Sequence, residues 1–389
     1  MSLMRAMVLV VALLLGGTGA ARGQARLPLD WPAVARKVVG WLALLPGERV
    51  LLVAHPGMFE ELVPHLRYEV MAAGGVDLGV VDVLAGPVPA SWDPAVLRGG
   101  SGPARRAYRE AFAAVDAAVM LPGAVPAHPA YAAMQDLLTD GSRRVVHFHW
   151  LENGSAFPIA GQPLPLPDRI DAVYQRALLE TDYDALAATQ RRFEDAMRDA
   201  EIRVTTPAGT DLRFQIGLRP VNRQDGDASS ARAERAVVLI DREIELPAGA
   251  IRVAPLEETV NGAVAFPPSQ WNGRPVSGLV LRFEEGRVTD MDADSGVEFA
   301  AAEMQAAGEA GRRFREFALG FNPLLAVPEE QPWVPYYGYG AGVVRLSLGD
   351  NSELGGRVTG GYVRWNFFAD ATVTVGNTVW VRDGKLVMD

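Results

Sequence analysis

Arg345, Arg364 and Asn366 have residue types and spacing that could do chemistry. They lie in VVRLSLGDNSELGGRVTGGYVRWNFF, residues 343–368, which reads as two short strands joined by a Gly-rich connection. In the first strand Val344, Leu346 and Leu348 point one way, and Arg345 and Ser347 the other. In the second, Val363, Trp365 and Phe367 share one face, and Arg364 and Asn366 the opposite one. Such period-2 alternation marks half-buried strands. It places two guanidinium groups and an amide on what reads as a common face. A guanidinium fork holds a carboxylate through two parallel hydrogen bonds, so the chemistry on offer is anion binding. The alternative is the solvated outer face of an antiparallel sheet.

Other chemistry is sparse. The five histidines, His55, His65, His128, His147 and His149, all fall in the first half of the chain. His147 and His149 share a strand face, and an imidazole pair can hold a metal. No Asp or Glu of matching spacing completes such a site, and two histidines packed at a strand end are the simpler reading. His55 ends the first strand, at the edge where open α/β sheets bind ligands. The second half carries many carboxylates, among them Glu257, Glu258, Glu284, Glu285 and Glu316, but no histidine. It therefore lacks the imidazole of an ordinary zinc hydrolase centre. There is no cysteine, which excludes disulfides, thiolate metal sites and Cys nucleophiles. No nucleophile elbow, phosphate loop or dinucleotide fingerprint occurs in its structural context; GGVDLG follows a helix rather than a strand.

The elements that must position these residues divide the 389-residue chain. A helix opens at Asp30 and Pro32 and stops at Pro46-Gly47. Apolar strand segments at 49–55, 77–83, 117–123 and 143–150 alternate with helical ones. That alternation predicts an α/β architecture, a three-layer domain with a parallel sheet between helices. Two more helices are expected over 168–180 and 182–200. From about residue 201 the texture becomes β-rich, with one helical stretch expected over 297–318 and a polar, mobile loop over 219–236. The expected division is 1–23, 24–200 and 201–389. Residues 1–23 carry Arg5, an apolar run from Ala6 to Leu15 and then small residues. This is the pattern of a cleavable secretory signal, with a retained anchor as the alternative. It predicts an exported protein, periplasmic or extracellular, whose mature chain starts near Gln24 and has no membrane span. A hydrophobic content of 49% fits two or three packed domains. The net charge of −10, without a basic block, argues against nucleic acid as a partner.

Several segments, in order, resemble a known family. They are LPGERVLLVA (45–54), RVTTPAGTDLRF (203–214), LPAGAIRVAPLEETVNGAVAF (246–266), LVLRFEEGRVTDM (279–291), FREFALGFNP (314–323) and VVRLSLGDNSELGGRV (343–358). They look like the thermophilic metalloaminopeptidases of the aminopeptidase T and aminopeptidase S type. The resemblance implies an α/β first domain, a β-rich α+β second domain with a dinuclear metal centre, a homodimer and cleavage of N-terminal residues from peptides. The implied metal ligands are two Glu, two His and an Asp. Their positions are Ala250, Glu316, Arg345 and the Arg364-Trp365-Asn366 strand, so four of five are replaced and Glu316 alone is kept. The family's acidic loop corresponds to Tyr336, Tyr337, Gly338 and Tyr339.

These replacements predict a protein without a metal cofactor. Glu316 is the remaining catalytic candidate, and Arg345, Arg364, Asn366, Tyr336, Tyr337 and Tyr339 are expected to contact a small peptide or carboxylate ligand. Arg345, Arg364 and Glu316 should form one partly buried cluster with Asn366 beside it. Its surplus positive charge should be met by Asp350, Glu257, Glu258 or a bound anion. The aromatic stretch from Trp333 to Tyr339 suits a partner surface, a cleft wall or core. The leading expectation is a secreted binder with a degenerate peptidase site. An active aminopeptidase with a rebuilt site and a structural protein of the cell envelope are the alternatives.

Overall fold

A computed structural model of the chain describes residues 28–83, 89–92, 102–123, 128–141, 143–148, 150, 155–159 and 161–387. The first helix, Trp31–Leu42, starts where the Asp30 carboxylate accepts from the Ala33 amide at 3.0 Å, with Pro32 in the first turn. Both features satisfy or remove amides that have no partner inside a helix. The helix buries Val34, Ala35, Val38, Val39 and Leu42.

That face packs on a five-stranded parallel sheet of order Val76–Asp82, Arg49–Ala54, Ala117–Met120, Arg144–Phe148, Glu243–Leu246. The central strands are continuous apolar runs because both sheet faces are covered. Val50, Leu52 and Val119 pack with the helices Trp31–Leu42 and Leu62–Ala72. Leu51, Val53 and Met120 pack with residues of the helix Pro129–Thr139 and with Phe112 on the other side. The predicted three-layer arrangement is present.

The fifth strand, Glu243–Leu246, comes from beyond residue 200, so the two parts of the chain share this sheet. Only Pro247, Ala248 and Gly249 separate it from Ala250–Val253, a strand of a second, antiparallel sheet. That sheet has the order Val363–Phe368, Val344–Gly349, Phe314–Gly320, Ala250–Val253, Asn222–Arg223. The junction is tight. A Cβ on Gly249 would stand 2.6 Å from the Tyr339 carbonyl oxygen and 2.7 Å from Asn322 Cβ. An eight-stranded sheet, from Arg287–Asp292 at one edge to Lys385–Leu386 at the other, completes the β-rich part. One apolar core runs from Val34 in the first helix to Val381 in this last sheet.

Two expected elements differ. The stretch 297–318 is not one helix: Val297–Ala306 is helical, Ala310–Arg312 is a single 3₁₀ turn, and Phe314–Gly320 is a strand. Gly308 adopts φ +66° and ends the helix. The strand is buried at all seven residues and so lacks the alternation that would reveal it. Residues 219–236 are not a loop throughout. Asn222–Arg223 is a strand and Ser230–Arg235 a helix capped by Ser229. Two polar side chains here are bonded inside the protein: Asn222 Nδ2 donates to Ile240 O at 3.0 Å and Gln224 Nε2 to Glu243 O at 3.1 Å. Among the described residues no helix is long and apolar enough to cross a membrane. The expected signal segment lies outside them.

Candidate functional site

In an antiparallel sheet, directly opposed residues point to the same face. Asn222 opposes Arg252, Arg252 opposes Ala318, Ala318 opposes Arg345, and Arg345 opposes Phe367. The neighbouring row is Glu316, Ser347 and Trp365. One face of the antiparallel sheet therefore carries Arg252, Glu316, Arg345, Ser347, Trp365 and Phe367. The other carries Val253, Phe317, Leu346, Leu348 and Phe368, and with them Arg364 and Asn366.

This corrects the expected cluster. Arg345 meets Glu316, but Arg364 and Asn366 face the opposite side of the sheet. The Arg364 guanidinium carbon stacks 3.4 Å from the Trp271 ring centroid. Its nitrogens donate to Glu303 and to Gln270 O, both at 2.9 Å. Asn366 donates to Leu346 O at 3.2 Å. The reason is register: the arginine face of Val344–Gly349 aligns with the aromatic face of Val363–Phe368.

Two further arginines join Glu316. Arg252 lies two residues beyond Ala250 and so shares its face. Arg315 is the extra residue of a bulge: Phe314 opposes Leu348 and Glu316 opposes Ser347, with Arg315 between. Glu316 Oε1 accepts from Arg252 Nε at 3.1 Å and from Arg345 Nε at 3.1 Å, with Arg345 Nη2 on the same oxygen. Oε2 accepts from Arg252 Nη2 and Arg315 Nε, both at 3.2 Å. A second carboxylate, Glu353, accepts through Oε1 from Arg252 Nη2 at 3.0 Å and from Arg315 Nη2. Arg345 Nη1 donates to Tyr337 O at 3.2 Å.

Glu316 is fully buried, whereas the Glu353 side chain is 41% exposed. Burial alone would raise the Glu316 pKa. Arg252, Arg345 and Arg315 outweigh it and hold the carboxyl well below its ordinary range. Burial likewise opposes the charge on Arg252, but Glu316 and the other nearby anionic groups keep it firmly protonated. Compensation comes from Glu353, not from the carboxylates expected. Asp350 is occupied by the amides of Ser352, Gly360 and Gly361, and Glu257 by Arg219, Asn351 and the Arg357 amide. Glu258 stands 3.8 Å from Arg357 on the surface.

Aromatic rings border the cluster. The Arg345 guanidinium carbon lies 5.3 Å from the Trp365 ring centroid and 5.8 Å from that of Tyr339. Tyr337 packs on Trp365 at 5.3 Å and on Phe157 at 5.6 Å, and Phe157 meets Phe367 at 4.4 Å. Of the expected tyrosines, Tyr337 and Tyr339 thus line the cluster. Tyr336 is core: its hydroxyl donates to Leu246 O and its amide to Tyr174 Oη. The Tyr339 hydroxyl donates to Glu245, at the end of the parallel sheet. Nearby, His147 Nδ1 pairs with Glu243, and Tyr131 Oη lies 3.4 Å from the same nitrogen. His149 lies outside the described residues.

The arrangement does not fit a dinuclear metal centre. Among the described residues no three His, Asp or Glu side chains are placed to hold a metal ion. Both Glu316 oxygens already accept from guanidinium groups, which have no lone pair to coordinate with and would repel a divalent cation. Ala250 presents only a methyl group to the same face.

Residues 180–324 match the thermophilic metalloprotease family, M29. The matched segment includes Arg252, Arg315 and Glu316 and four of the motifs that carry the resemblance, those at 203–214, 246–266, 279–291 and 314–323. The fold is that of AmpT from Thermus thermophilus, with a TM-score of 0.58 at 19% identity over 92% of this chain and 99% of that one. It is also similar to 2,5-dihydroxypyridine dioxygenase from Pseudomonas putida KT2440, with a TM-score of 0.62 at 14% identity over 92% of this chain and 97% of that one. No match is found among curated proteins. The two structures bear names of different chemistries, so the shared fold alone does not assign a reaction.

Sequence reading found Glu316 and Arg345 but missed Arg252, Arg315 and Glu353. Arg252 had a usable signal, its i+2 spacing from Ala250, one of the ligand positions that the resemblance implies. Arg315 had none, because only the bulge brings it round.

Proposed function

We propose that this chain is an exported, aminopeptidase-T-like protein in which an arginine–carboxylate cluster replaces the metal centre, and that it binds a small peptide or other carboxylate without hydrolysing it. The observation that carries this reading is that Glu316, the one ligand position that the resemblance implies to be kept, is held by three guanidinium groups. Such a carboxylate has no free oxygen for a metal and no basicity for proton transfer at neutral pH. The guanidinium groups are charge-matched to a ligand carboxylate. Trp365 and Phe367, on the edge strand two strands from Phe314–Gly320 and thus roughly 10 Å away, offer an apolar surface within reach of one side chain. The working unit is a homodimer, as in the family it resembles, and the mature chain begins near Gln24, which N-terminal sequencing of protein from an exporting host checks.

The test pairs turnover with binding. Aminoacyl substrates should not be hydrolysed with or without added zinc, cobalt or manganese. Calorimetry should detect N-acetyl-L-phenylalanine but not its amide. Metal-dependent turnover, or equal binding of acid and amide, overturns the proposal.

A further inference from the structure

Within the cluster the burial is uneven. Arg252 and Arg315 are buried to within a few per cent of completely, and so is Glu316, but Glu353 is not. Arg252 and Arg315 both turn a terminal nitrogen to one oxygen of Glu353, its Oε1. We infer that Glu353 is a built-in stand-in for the ligand: the guanidinium ends of Arg252 and Arg315 form the anion subsite, and a ligand carboxylate binds there by displacing the Glu353 side chain. This rests on the carboxylate-binding reading above and names its subsite and its competitor.

The loop carrying Glu353 is built to let that side chain leave alone. Its backbone is fixed by neighbours on either side. Asp350 accepts from the amides of Ser352 at 2.9 Å, Gly360 at 2.8 Å and Gly361 at 2.9 Å. The Asn351 side chain accepts from the Val358 amide at 2.8 Å and donates to Glu257 at 3.2 Å. Leu354 is buried beside Ile240 and Ala254. None of these anchors uses the Glu353 carboxylate. A change of rotamer therefore frees the subsite while the 3₁₀ turn Ser352–Leu354 stays in place.

Charge dictates exchange rather than simple opening. With Glu353 turned away, Arg252 and Arg315 would each lose a bond to an anion, and Glu316 would be the one carboxylate still bonded to the three guanidinium groups. Unpaired buried charge is strongly unfavourable, so the departing carboxylate must be replaced by another anion. A ligand carboxylate restores the same two bonds and the same charge. A neutral amide or ester does not. The class of ligand is accordingly a small carboxylate, the C-terminus of a short peptide included.

The experiment compares wild type with Glu353→Gln and Glu353→Ala in low-chloride buffer, using N-acetyl-L-phenylalanine and its amide as probes. Gln keeps an acceptor for both arginines and preserves the fold, but competes without charge. Glu353→Gln should bind the acid at least tenfold more tightly than wild type and ignore the amide. Glu353→Ala should melt at a lower temperature than wild type, and the acid, not the amide, should restore its midpoint. Equal or weaker binding by Glu353→Gln, with wild type still binding the acid, overturns the displacement and leaves carboxylate binding standing. Absence of binding to wild type and both variants overturns the two together.

Discussion

Glu316 stabilises the fold only while ionised. Its folded pKa lies well below the ordinary 4.5, because the three arginines outweigh burial. A carboxyl depressed in this way contributes fully above the unfolded value, and the contribution is lost as pH falls from about 4.5 toward the folded one. Glu316→Gln should therefore cost about 3–5 kcal/mol at pH 7, the usual loss on removing one partner of a buried ionic group. It should also flatten the fall in stability between pH 5 and pH 3. Urea denaturation at the three pH values reads both, and a variant matching wild type at pH 7 would contradict the account. Arg364 makes the opposite case. Arg364→Ala should lose roughly 1–2 kcal/mol with its stack on Trp271 and leave N-acetyl-L-phenylalanine binding within twofold of wild type. The sequence alternation showed that each strand has a polar and an apolar face. It did not show which faces coincide. The exposed Trp365, on an edge strand, takes the position next to Arg345 that a polar residue was expected to fill.

At the scale of elements, the apolar strands and their alternation with helices were plain, because a sheet covered on both faces needs unbroken apolar runs. The strand Glu243–Leu246 was not. Its glutamates alternate with Ile244 and Leu246, and its parallel pairing with Arg144–Phe148 joins residues about a hundred apart in sequence. The junction that follows it orients the antiparallel sheet. Gly249→Ala would drive a methyl group into the Tyr339 carbonyl and Asn322. The expected cost is about 1–3 kcal/mol, typical of overpacking a tight interior. Because Tyr339 also borders the cluster, carboxylate affinity should fall in the same variant. Thermal melting and calorimetry on one preparation check both, and unchanged values in both would show that the junction has slack.

For the molecule as a whole, ordered motifs revealed the fold even at 19% identity to AmpT. The resemblance they carry implies equally that four of five metal-ligand positions hold other residues. The arginine–carboxylate cluster itself was legible only in part, since Arg252, Arg315 and Glu353 come from three separate segments. Light scattering should give twice the chain mass at micromolar concentration, and the monomer mass would refute the dimer. The most direct test of the central claim, that guanidinium groups have replaced the metals, is elemental analysis of the purified protein together with its melting temperature in 1,10-phenanthroline. That chelator is neutral and so does not compete at a carboxylate site. The account predicts well under one zinc, cobalt or manganese per chain and an unchanged melting temperature. A stoichiometric metal whose removal lowers the melting temperature would contradict it.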